Sequence, residues 1–128
     1  MNVQKVKNFW IKQSDSDWKV AKSLCKLGHY SHGLFFCHLS LEKLLKGIIV
    51  YKTKKQSTYS HDLLLLAKKA KVQVSKEQKE QLNEITTFNV RARYDDIKQK
   101  FHKKATKRYS AEYLEKSKKL RLWLKKYL

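Results

Sequence analysis

The chain has no proline and only three glycines in 128 residues. Proline is the residue that most strongly breaks helices, and glycine is what tight β-turns call on for positive φ. With neither at regular intervals, and with few short alternating runs bounded by turns, a many-stranded architecture is excluded and an all-helical fold is expected. Cysteine is equally scarce. Cys25 and Cys37 lie in helical patterns and do not form a Cys-x-x-Cys pair, so they read as small buried hydrophobes in a reducing compartment. No stretch of 18 or more apolar residues is present, which removes a membrane-spanning helix. The first residues, MNVQKVKNFW, turn charged before an apolar run develops, so no signal peptide is expected and the protein is assigned to the cytoplasm. Acidic residues are the last shortage: 11 Asp and Glu stand against 30 Lys and Arg, for a formal net charge of +19. Such a chain seeks polyanions, and nucleic acid is the natural one, because cations on phosphates release counterions. The competing reading is a lysine-rich surface that only keeps the protein dissolved.

What is present is helical periodicity. Between His29 and Tyr51, Leu34, Phe35, Cys37, His38, Leu41, Leu44, Leu45, Ile48 and Ile49 recur at steps of three and four. That spacing marks a wide apolar stripe and predicts the central helix of the domain, preceded by Gly28 as a helix terminator. A first helix is expected from about Val3 to Leu27, with Val3, Val6, Trp10, Trp18, Ala21, Leu24 and Cys25 inward. The polar run Gln13-Ser14-Asp15-Ser16-Asp17 interrupts it, as an exposed stretch of one long helix or as a break capped by Ser14 or Ser16; one helix is preferred. After the polar segment 52–60, Ser60 is the expected cap of a short, deeply packed helix starting near His61. Ser75 and Gln78 have capping-box spacing and open a fourth helix with Leu82, Ile85, Thr86, Phe88 and Asn89 inward. The pattern from Ile97 to Lys107 is weak and predicts an irregular or partly helical connection. A last helix, capped by Thr106 or Ser110, carries Tyr113, Leu114, Leu120, Trp123 and Leu124. The length fits one domain over 1–128, and the expected architecture is an up-and-down antiparallel bundle of four to five helices.

Several short patterns occur in a recognisable order. They are Trp18-x-x-Ala21, then Gly28-x-Tyr30, then Phe35-Phe36-Cys37-His38-x-x-x-Glu42-Lys43-x-x-Lys46, then His61-Asp62-Leu63, and finally Phe88-Asn89-x-Arg91-x-Arg93-Tyr94-Asp95. Together they make the chain resemble the HEPN (higher eukaryotes and prokaryotes nucleotide-binding) domain family over nearly its whole length. The resemblance implies a helical bundle that commonly forms homodimers and a frequent partner protein, a minimal nucleotidyltransferase, in a toxin–antitoxin arrangement. It also implies that ribonuclease members carry Arg, four to six residues, then His. This sequence departs from that pattern: eight residues separate Arg93 from His102, and ten separate Arg91 from it. Two extra residues on a helix rotate a side chain by roughly 200°, and the His must reach a 2′-hydroxyl while Arg holds the phosphate.

The candidate site residues follow from these observations. Arg91, Arg93, Tyr94 and Lys98 form the candidate phosphate- or nucleotide-binding group, since Arg forks onto phosphate and Tyr stacks on a base. The competing reading is helix termination, with the arginines on nearby carboxylates. Arg93 and His102 are the candidate catalytic pair. His38 and Glu42, one helical turn apart, are a second polar site with Asp95; the plainer reading pairs His38 with Glu42 at the edge of the core. Glu42 and Lys46 add an i, i+4 ion pair worth about 0.2–0.5 kcal/mol. No four-ligand set of His and Cys has zinc spacing, and the adjacent Asp95 and Asp96, which could bind a metal, are weak evidence for one, so neither metal nor cofactor is expected. From Lys98 onward lysines dominate, interleaved with Tyr109, Tyr113, Trp123 and Tyr127; these read as an RNA-binding face or as core aromatics beside solvated lysines. Two functions result: a dimeric module binding nucleotide or RNA and acting with a nucleotidyltransferase, or a metal-independent ribonuclease using His102. A purely structural interaction protein is the third.

Overall fold

The computed structural model describes residues 1–89 and 95–128, with the backbone alone for 95 and 96. Among the described residues there are six helices and no strand: α1 (Val3–Lys26), α2 (Tyr30–Thr53), α3 (Leu63–Lys69), α4 (Lys76–Thr86), α5 (Asp95–Lys104) and α6 (Lys107–Lys125).

The expected central helix is α2. Fourteen of its 24 residues are buried, so neighbours cover it on most sides and it organises the core. It ends on Lys54, which takes a left-handed conformation at φ 60° while its N–H closes on the Val50 carbonyl. Gly28, at φ +88°, makes the turn between α1 and α2. The two helices then run antiparallel, because contacts that climb along α2 descend along α1: Gly33 meets Cys25, Ser40 meets Ser14, Gly47 meets Trp10, and Tyr51 receives Lys7. Gly33 is a true close approach. A Cβ there would overlap Cys25 Sγ and lie 3.0 Å from the Ala21 carbonyl oxygen.

The polar run in α1 is not an exposed stretch. The helix is continuous, and Ser14 and Asp17 are buried in it. Ser14 Oγ donates to the Ser40 carbonyl at 2.6 Å and accepts from Arg121 Nη1 at 2.5 Å, while Asp17 pairs with Lys43 at 2.6 Å. Arg121 also reaches Ser40 Oγ and Asp15, which ties α6 to both long helices. With Cys25 meeting Ser110, Cys37 meeting Ser117 and Lys52 over the Tyr127 ring, α6 runs antiparallel to α1 and in the same sense as α2.

At the caps, Asp62 rather than Ser60 starts α3: its carboxylate accepts from the Leu64 and Leu65 N–H groups, and Ser60 Oγ accepts from Asp62 N. The capping box of Ser75 and Gln78 is present, and Thr106 caps α6. Of the two readings of the segment before α6, irregular or partly helical, the helical one holds: it forms α5 up to Lys104, which raises the helix number to six. Its Phe101 and the following Ala105 face the core, and Phe101 packs on the fully buried Phe88 with ring centroids 5.5 Å apart. Phe88 also contacts Tyr109 and Tyr113, so one aromatic cluster joins the end of α4 to α5 and α6.

Candidate nucleotide-binding site

Two groups of polar side chains result from this packing, and the sequence-predicted residues divide between them. The first surrounds a cavity of about 610 Å³ between the first turns of α2 and one face of α5. Ser31, His32 and Phe35 come from α2; Lys98, Gln99, Phe101, His102 and Lys103 come from α5; Phe88 closes the apolar end. Positions 98 and 102 are one helical turn apart and so project together. His102 is exposed, and its Nδ1 lies 3.4 Å from Ser31 Oγ, which bridges the two walls. Lys98 and Lys103 are exposed as well, so the cavity has aromatic walls and a cationic rim. That is the composition that accepts a planar aromatic ring carrying negative charge. Arg91, Arg93 and Tyr94 lie outside the described residues, as does the side chain of Asp95; in sequence they connect Asn89 to α5. Of the candidate phosphate-binding and catalytic residues, the structure thus brings Lys98 and His102 together.

The second group is separate from the cavity and sits where α2 meets the entry to α3. His38 and Glu42 do share a face, but His38 Nε2 is 3.9 Å from Glu42 Oε1 and instead donates to the His61 carbonyl at 2.8 Å. Glu42 is taken by two other donors: His61 Nδ1 at 2.7 Å on Oε1 and Lys46 Nζ at 3.0 Å on Oε2. Burial works to raise the Glu42 carboxyl, but the hydrogen bonds from His61 and Lys46 outweigh it and hold the group below the usual carboxylate range. Burial pushes His38 down, so its ring is neutral, with Nδ1 buried and without a hydrogen-bond partner. This arrangement anchors a loop; it does not open onto the cavity.

Ser31, Phe101 and Arg121 are the participants that sequence reasoning missed, and His61 was quoted in the family-like pattern without a role. Arg121 carried a usable signal, being one of four arginines in a lysine-rich chain and adjacent to the inward Leu120. Ser31 carried none, since its partner is 71 positions away, and nothing near His61 pointed to Glu42, 19 positions earlier. Among the described residues no group of three His, Cys, Asp or Glu is placed to hold a metal ion, and no helix is long and apolar enough to cross a membrane. The Cys37 thiol is pushed up to about 12, mainly by burial, which makes it inert as a nucleophile.

Fold and cavity define a small all-α bundle with a cation-rimmed aromatic pocket at one end of its central helix. The family model for the HEPN domain matches residues 8–127, and the chain belongs to that family. The crystal structure of TT1696 from Thermus thermophilus has the same fold, with a TM-score of 0.80 at 20% identity, over 95% of this chain and 98% of that one. No curated protein matches the sequence.

Proposed function

We propose that this HEPN domain binds nucleotides or RNA through the cavity between α2 and α5, as a homodimer acting with a nucleotidyltransferase partner in a toxin–antitoxin-type system. The observation that carries the reading is the cavity itself. Phe35 and Phe101 offer apolar and aromatic surface to a base, with Phe88 buried behind them, while Lys98 and Lys103 offer positive charge to its phosphates and His102 a hydrogen-bonding ring. The net charge of +19 brings a polyanion to the surface. Family membership supports the dimer and the partner, and Arg91, Arg93 and Tyr94 supply further phosphate- and base-binding groups next to α5 in sequence. The test is equilibrium binding of ATP and of mixed RNA to the wild type and to Lys98→Gln/Lys103→Gln, beside sedimentation for the oligomeric state. Losing two phosphate contacts lowers the salt slope of RNA binding by about 1.4. Unchanged ATP and RNA affinity in the double variant refutes the cavity as the site, and a monomer at all concentrations refutes the dimer.

The position of His102 favours a second reading, a metal-independent ribonuclease. Its Nδ1 faces Ser31 Oγ on the rim, leaving Nε2 as the nitrogen that would take a 2′-hydroxyl proton while Arg93 or Arg91 holds the phosphate. Cleavage of mixed RNA in EDTA that disappears in His102→Ala establishes this chemistry. Cleavage retained by that variant removes His102 from the mechanism, and no cleavage by the wild type removes the reaction.

A further inference from the structure

A second concave surface lies between α1 and α6, enclosing about 330 Å³ and sharing no lining residue with the cavity at α5. From α1 it takes Trp18, Lys19 and Lys22; from α6 it takes Lys118, Arg121 and Lys125. Asp15 is the one carboxylate in its lining, and it is already engaged by Arg121 Nη2 at 2.5 Å and Lys125 at 2.9 Å. Among the described residues no carboxylate forms a salt bridge with Lys19, Lys22 or Lys118. Three ammonium groups therefore face one groove with no anionic partner.

The floor of the groove is aromatic. Trp18 packs against the core yet also lines the groove, with Lys22 Nζ 5.7 Å and the Arg121 guanidinium carbon 5.6 Å from its ring centre. The guanidinium is itself held in place by Ser14 and Ser40, so the groove's centre is fixed by hydrogen bonds and its rim is exposed lysine. Positions 118 and 125 are seven residues apart, which sets the rim cations about 10 Å apart along α6.

We propose that this groove binds single-stranded nucleic acid, with Lys19, Lys22 and Lys118 on successive phosphates and a base against Trp18. Unmatched cations around an aromatic floor are the elements of sequence-tolerant single-strand binding. A duplex is disfavoured because its bases are stacked inside and cannot meet the indole, whereas a single strand can turn one base inward. An acidic peptide would meet the same lysines but gains nothing from the indole.

The experiment uses a labelled oligouridylate of about ten nucleotides and the full chain, in EDTA, over a salt series around 0.15 M. Lys19→Gln/Lys22→Gln/Lys118→Gln is compared with a charge-matched control on α3 and α4, Lys69→Gln/Lys76→Gln/Lys79→Gln. The groove variant should lose at least tenfold in affinity, and its log–log salt slope should be shallower by about 2, while the control changes little. Trp18→Phe, which keeps the packing, should weaken binding by about fivefold and remove most of the fluorescence quench seen on oligouridylate binding to the wild type. Equal losses in the groove variant and the control overturn the proposal in favour of diffuse charge. Equal affinity for oligouridylate and for polyglutamate, or a full quench in Trp18→Phe, overturns it too. Loss of all oligouridylate binding in Lys98→Gln/Lys103→Gln, with none in the groove variant, overturns it while leaving the cavity reading intact.

Discussion

The carboxylate of Glu42 has both oxygens in use, one on His61 and one on Lys46, and all but a few per cent of its side chain is buried. Glu42→Gln keeps the shape but offers one acceptor where there were two. Whichever way the amide turns, one donor meets an NH₂ group, and the Lys46 ammonium, itself buried, loses its counter-charge. Leaving a buried charge unpaired costs about 3–5 kcal/mol. The lower end is expected here, because the Trp10 and Tyr59 rings remain within 5.5 and 5.8 Å of the ammonium. For a chain of this size a loss of about 3 kcal/mol lowers Tm by roughly 10 °C. The assay is urea and thermal unfolding followed by circular dichroism, with Glu42→Gln, Lys46→Met and the double variant in parallel. If the orphaned ammonium is what costs, removing it helps, so the double variant should be more stable than Glu42→Gln alone. A double variant whose loss equals the sum of the two single losses would refute the reasoning and assign the effect to packing.

Three further outcomes follow from the geometry. Gly33→Ala should destabilise by about 2 kcal/mol or more by overpacking, since the added methyl meets Cys25 Sγ and the Ala21 carbonyl; a melt within experimental error of wild type would show that α1 and α2 separate easily. Asp62→Ala should cost about 1 kcal/mol, and Ser60→Ala less, because only Asp62 accepts from the first turn of α3; denaturation of the two variants checks the order. Stability should fall with acid in two stages. The native state holds His38 below its ordinary value of 6.5 and Glu42 below its ordinary value of 4.5, so it binds fewer protons than the unfolded chain at both groups. The His38 contribution is complete above pH 6.5 and lost as pH falls below it, and the Glu42 contribution is lost below about 4.5. In His38→Gln the decline just below neutrality should flatten, and an identical pH profile would assign that decline to another group.

Elements whose signal is local were legible in the sequence. Eight of the nine positions read as inward on α2 are buried, all but Phe35, and their spacing identifies the helix as central; the Ser75 capping box and Thr106 cap are built from residues three apart. Elements whose signal depends on a distant partner were not. The run from Gln13 to Asp17 reads as exposed because nothing nearby could satisfy buried Ser14 and Asp17; the satisfying groups are Arg121 and Lys43, far along the chain. The α5 helix and the residue after it offer only Ile97, Phe101 and Ala105 as an apolar stripe, one residue per turn, and just two of these reach the core. His38 and Glu42 were correctly placed on one face, yet which groups they bond was decided by the loop that delivers His61. The cavity was half legible: Lys98 and His102 were singled out, while its α2 wall, Ser31, His32 and Phe35, was read as helix start and core.

The distribution of the rare acids explains where the abundant lysines become useful. Most described carboxylates are consumed in holding helices together: Asp15 on Arg121 and Lys125, Asp17 on Lys43, Glu42 on Lys46 and His61, Glu84 on Lys104 and Tyr109, and Asp62 on the α3 amides. Each of the ion pairs among these removes a cation from the surface field and fixes it in the fold. The lysines left over are not spread evenly; at the α5 cavity and at the groove between α1 and α6 they ring a concave surface with an aromatic floor. A concave cationic surface concentrates an anion more strongly than the same charges on a convex one, because low-dielectric walls focus the field. A net charge of +19 therefore describes the protein poorly as a whole. The proposed binding rests on the few places where curvature, an aromatic ring and the absence of an unengaged carboxylate coincide, and substituting lysines outside those places should alter solubility before it alters recognition.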